Sequence, residues 1–124
     1  MPEPCPCQRG LPFAQCCGPY LTGTVTAPTA ERLMRSRYTA FALQDSRYLL
    51  DTWDPSTRPP AIELDPGTRW VQLVVVGSTG GGLLDSRGTV EFRADYRVGG
   101  QSRSLRENCL FLRQDKRWYY VGTA

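Results

Sequence analysis

The feature that most constrains this chain lies at its start. Four cysteines fall there as two tight pairs, Cys5-x-Cys7 and Cys16-Cys17, with eight residues between the pairs, while Cys109 stands alone far downstream. A disulfide scaffold spreads its cysteines to staple distant loops, and this distribution does not. Four thiols are the number that a closed tetrahedral metal site requires, and soft thiolates select zinc over magnesium or calcium. The segment from residue 2 to 28 is rich in Pro, Gly, Cys and Thr without sustained periodicity, so it needs such a staple to hold its shape. Structural zinc on Cys5, Cys7, Cys16 and Cys17, one ion per chain, is the expectation. On the residues alone, two disulfides or four free thiols remain as alternatives, although Cys16 and Cys17 cannot pair with each other without strain.

The main core must lie in residues 29 to 124. Thr29 is a candidate N-cap, and Met34, Tyr38, Phe41 and Ala42 recur at helical spacing behind it. Asp45 can cap a second, shorter helix through Tyr48, Leu49, Leu50 and Trp53, ended by Pro55. Pro59, Pro60 and Pro66 then make a crossover loop. From Arg69 the period changes. Trp70 to Val76 reads as a strand broken at Gly77; Val90, Phe92, Ala94, Tyr96 and Val98 alternate with charges; strands from about Ser102 to Arg113 and from Trp118 to Val121 follow. Helices followed by an antiparallel meander predict an α+β domain, with helices on one face of a curved sheet.

Composition excludes several functions. No histidine occurs, which removes every Ser-His and Cys-His dyad and every imidazole metal ligand. The net charge of +3, from 15 basic and 12 acidic residues, is too weak to make nucleic acid the expected direct ligand. No apolar run reaches the ~20 residues of a membrane span, and the start Met1-Pro2-Glu3-Pro4-Cys5 lacks the form of a secretory signal, so the chain reads as cytoplasmic.

The run Cys5-Pro6-Cys7-Gln8-Arg9-Gly10-Leu11-Pro12-Phe13-Ala14-Gln15-Cys16-Cys17-Gly18 resembles the SEC-C motif, the zinc-binding tail of the SecA translocation ATPase. Arg9 stands where that motif commonly has Ser. The segments from Ala27 to Phe41, from Thr52 to Pro59 and from Arg117 to Val121 resemble the YchJ family of small bacterial proteins, described as uncharacterised or metal-binding. The resemblance implies an N-terminal SEC-C module, here residues 1 to 28, and a nuclear-transport-factor-2-like cone, here residues 29 to 124. It also implies a pocket between helix and concave sheet, and pairing of two copies through the sheet as a homodimer.

Arg35, Arg37, Trp53, Trp70, Tyr96, Glu107 and Trp118 are the candidates for that pocket. Leu105, Glu107, Cys109 and Phe111 share one strand face, so Glu107 faces partial burial and calls for a guanidinium partner, Arg35 or Arg37. Asp51 and Asp54 read as solvated, and Cys109 as a small buried strand residue. No catalytic residue is assigned. The function expected is that of a non-enzymatic zinc-binding adaptor contacting a protein or ribonucleoprotein; the alternative is a small-molecule-binding protein or enzyme using the cone pocket. Zinc storage is a weaker third reading, because a closed tetrathiolate site spends its binding energy on folding.

Overall fold

The computed structural model describes residues 3 to 124; Met1 and Pro2, part of the start read above as lacking a secretory signal, lie outside the described residues. Three helices, α1 (Gly18–Leu21), α2 (Ala30–Leu43) and α3 (Ser46–Asp51), precede four strands, β1 (Arg69–Gly80), β2 (Arg87–Val98), β3 (Gln101–Gln114) and β4 (Arg117–Thr123). The strands form one antiparallel sheet in the order β1-β2-β3-β4, a pure meander.

Both expected caps form. Thr29 accepts from the Arg32 N–H, and Asp45 from the Tyr48 N–H. The helix α2 is buried far more widely than one apolar stripe predicts. Leu33, Met34 and Tyr38 are buried, but so are Ser36, Arg37, Thr39 and Ala40. The sheet covers one side of α2, and α3 and the cysteine module cover the others. Ser36 resolves its burial by bonding the Leu33 carbonyl at 2.7 Å and the Tyr48 hydroxyl at 2.6 Å.

The strand β1 runs on through Gly77 to Gly80, where the sequence suggested a break. Register shifts between Trp70 and Gln72 and between Val75 and Gly77 let the strand twist without losing its pairing with β2. The hairpins β2–β3 and β3–β4 turn on Gly99-Gly100 and Asp115-Lys116, all four with positive φ, which suits the twist of the flanking strands. The inner face carries Leu73, Val90, Ala94, Cys109 and Phe111, all buried, and Trp118 closes the core by donating its indole N–H to the Pro28 carbonyl at 3.1 Å. The outer face is charged, with Arg106 bonded to Glu91 at 2.8 Å and Arg93 to Asp95 at 3.3 Å.

Asp54 corrects its expected exposure: it is buried and accepts from the Ser56 N–H, the Ser56 hydroxyl and the Gln114 amide. Those bonds from Ser56 hold its carboxyl below the usual carboxylate range.

The joint between β1, β2 and α2 is closely packed. The Ala30 N–H donates to the Gly81 carbonyl at 3.0 Å, and a Cβ on Gly88 would lie 2.5 Å from Gly81 Cα. Only backbone stands in its way, and backbone cannot rotate aside. Gly88→Ala should therefore lower the urea unfolding midpoint, at a cost of about 1–3 kcal/mol; an unchanged midpoint would mean that this joint is loose.

Candidate metal centre

Short backbone devices bring the two cysteine pairs together. Pro4 bridges Pro12 antiparallel, the Cys5 N–H donates to the Leu11 carbonyl, and the Gln8 N–H donates to the Cys5 carbonyl, both at 3.0 Å. The chain thus folds back between the pairs. A 3-10 turn over Phe13–Gln15 leads into Cys16, and Cys17 is the N-cap of α1. Glycine is required at position 18, because a Cβ there would lie 2.8 Å from the Phe13 carbonyl oxygen.

The result is four buried thiols whose sulfurs all lie within 4.8 Å of one another. None is disulfide-bonded. Tetrahedral zinc with metal–sulfur bonds of ~2.3 Å needs sulfurs about 3.8 Å apart. The Cys7–Cys16 separation of 3.5 Å and the Cys16–Cys17 separation of 4.0 Å bracket that value. The donor set therefore fits a soft, four-coordinate dication. Such a tetrathiolate site carries a net charge of about −2. Arg9, in the loop between the pairs, has its Nη1 buried with no hydrogen-bond partner among the described residues.

Contacts that the sequence did not reveal orient the module. Cys5 Sγ lies 3.7 Å from Thr39 Oγ1, and Arg35 donates from Nη1 to the Cys7 carbonyl at 3.1 Å while pairing with Glu31. Gln8 uses its side-chain amide twice, donating to the Val71 carbonyl at 2.7 Å and accepting from the Leu73 N–H at 3.2 Å. No pattern in the sequence marks Gln8 or Thr39 as special, since each is an ordinary polar residue until its partner is placed.

The thiols also share protons unequally. Hydrogen bonds from Cys17 and Cys7 stabilise the Cys5 thiolate and pull its pKa down. Burial and the neighbouring Cys7 push Cys16 up to about 11, and hydrogen bonding to Cys5 and Cys7 raises Cys17. Crowded anions repel, so only a cation lets all four deprotonate.

The candidates for the pocket divide between several places. A cavity of about 230 Å³ lies between α2 and the concave face of the sheet, and Arg37, Trp53, Trp70 and Glu107 line it. Arg35 points to the cysteine module instead, because residues two apart on a helix diverge. Trp118 is sealed in the core, and Tyr96 packs on Trp70 at 5.2 Å outside the cavity lining. The expected pair between Glu107 and Arg35 or Arg37 does not form. Arg37 donates to the Leu49 carbonyl and to Thr52 Oγ1, both at 2.7 Å, and its guanidinium lies 4.5 Å from the Tyr120 ring centre. The Glu107 carboxylate accepts from the Cys109 thiol at 3.6 Å. Cys109 is buried as expected, and burial, with Glu107 beside it, pushes its thiol up to about 12.

The architecture defines a class: a SEC-C module joined to a nuclear-transport-factor-2-like domain. Residues 1–19 match the SEC-C motif, and residues 29–123 match the family described as YchJ, middle NTF2-like domain. The chain belongs to the YchJ family, whose relatives carry the name UPF0225. A UPF0225 protein of Streptomyces coelicolor is 50% identical over 118 residues, covering 95% of this chain and 92% of the relative. One of Corynebacterium glutamicum is 48% identical over 120 residues, covering 97% and 95%. The solution structure of a SEC-C motif-containing protein from Rhodopseudomonas palustris superposes with a TM-score of 0.84 at 37% identity, covering 100% of this chain and 98% of that one. The crystal structure of another, from Psychrobacter arcticus, gives 0.78 at 28% identity, covering 94% and 79%.

Because Cys16 and Cys17 are held protonated at neutral pH, zinc must displace their protons. Calorimetric titration of metal-free protein with zinc, in buffers of different ionisation enthalpy, should show net proton release on binding and an apparent affinity that falls as pH is lowered. Binding without proton release would rule these thiols out as ligands.

Proposed function

We propose that this chain is a zinc-binding, non-enzymatic adaptor of the bacterial cytoplasm. One zinc ion, held by Cys5, Cys7, Cys16 and Cys17, fixes the shape of the N-terminal module, and that module presents a rigid surface to a protein or ribonucleoprotein partner. The observation that carries this reading is the convergence of four buried thiols at tetrahedral spacing. A closed set of four thiolates leaves no open coordination position, which supports a structural metal over a catalytic one. The absence of histidine from the chain supports the same side. A surface of mixed charge, with its net value near neutrality, supports a protein partner over direct binding of a nucleic-acid backbone. No helix among the described residues is long and apolar enough to cross a membrane.

Purified protein should carry one zinc per chain by elemental analysis, and Cys16→Ser should carry markedly less. Equal content in both, or none in either, would overturn the assignment. Under chelation, amide exchange should rise through the first 20 or so residues while β2 and β3 stay protected. A single cooperative loss of the whole fold would contradict the division of the chain near residue 28. Partner capture by the wild type that persists with Cys16→Ser would remove the module from the contact.

A further inference from the structure

The cavity beneath α2 contains an unusual electrostatic arrangement. Arg37 is 5% exposed, and burial lowers its pKa to about 10, so it stays charged at neutral pH. Both of its hydrogen bonds leave from Nη1 and reach neutral oxygens. Nε and Nη2 have no protein acceptor, and no carboxylate lies within ion-pair distance, among the described residues. The rings of Trp53 and Tyr120 hold the guanidinium by their faces, at 5.3 and 4.5 Å. A buried cation without an anion is costly, and a guanidinium with a free edge suits a carboxylate.

The rest of the wall limits what that anion can be. Trp70, Phe41, Phe92 and Phe111 line the space, so the body of a ligand must be apolar and flat. Glu107 reaches the same space from β3 without bridging Arg37, and its half-buried carboxylate, held by the Cys109 thiol through one oxygen, can accept a further hydrogen bond and repels extra negative charge. A volume of about 230 Å³, at roughly 30 Å³ per water, holds about eight water-sized groups, and a single benzene ring with two small substituents fits that space because bonded atoms each take less room than a free water. We propose that this cavity binds a small aromatic monocarboxylate, its carboxylate on the free edge of Arg37 and a hydroxyl at its far end donating to Glu107. None of the four clustered cysteines lines this cavity, and the proposal does not rest on the adaptor reading.

The test uses the full zinc-loaded chain and 4-hydroxybenzoate as probe, followed by NMR on the three indole N–H signals. Trp53 and Trp70 line the cavity and should shift saturably, while Trp118, bonded to the Pro28 carbonyl away from it, should not. Benzyl alcohol, which lacks the carboxylate, should bind at least about tenfold more weakly. Arg37→Met should abolish saturable binding; because Arg37 also ties α2 to α3, Leu105→Phe, which fills the cavity from its half-buried rim, provides a second loss that does not depend on that tie. Glu107→Gln should reduce the preference for 4-hydroxybenzoate over benzoate. Unsaturated shifts up to about 10 mM probe, equal binding of benzyl alcohol, or undiminished binding by Leu105→Phe would each overturn the proposal.

Discussion

The rest of this structure depends on α2 being covered on more than one side, with only its ends left open to water. A helix in a two-layer α+β domain normally buries one stripe and leaves the rest to water. Here the far side of α2 is covered by the cysteine module, so Thr39 and Ala40 are as fully buried as Leu33. The thiols and the inner face of the sheet thereby join one apolar cluster that runs from Cys5 through Met34 and Tyr38 to Phe111 and Trp118. Whatever holds the four sulfurs together also sets the position of the helix that roofs the cavity.

The two arginines on α2 show how one helix can serve two environments. Arg35 and Arg37 differ by two positions, which turns them to different sides. Arg35 lies on the module side, bonded to a backbone carbonyl and a helical carboxylate. Arg37 lies on the cavity side, clamped by the end of α3 and stacked on aromatic rings. A lysine could replace neither without loss, because each guanidinium uses more than one donor or its flat face.

Much of this was legible beforehand. The change from helical to alternating period marked the order of elements, and Thr29 and Asp45 cap the helices as their positions imply. The spacing of the cysteines pointed to the cluster of four thiols, which follows from local chain reversal. What could not be read was set by distant partners. Glu107 was expected to pair with an arginine because a buried carboxylate needs a counterpart, yet Thr52 and the Leu49 carbonyl already occupy Arg37, and the module occupies Arg35. Asp54 looked solvated because it follows a helix end, but Gln114, sixty residues on, closes over it. Trp118, a candidate for the pocket, is instead sealed in the core beneath Pro28.

The grip of Gln8 on β1 also bears on solubility. The strand β1 is an outer strand of the sheet, and its free N–H and carbonyl groups would invite another chain to add itself alongside. The Gln8 amide, bonded to the Val71 carbonyl and the Leu73 N–H, imitates one peptide unit of such a strand and takes its place. Val71 and Val76 are half exposed on that same edge. The cysteine loop is thus a guard against unwanted sheet growth, and a cell depleted of the metal that shapes the loop would find this protein sticky as well as loosened.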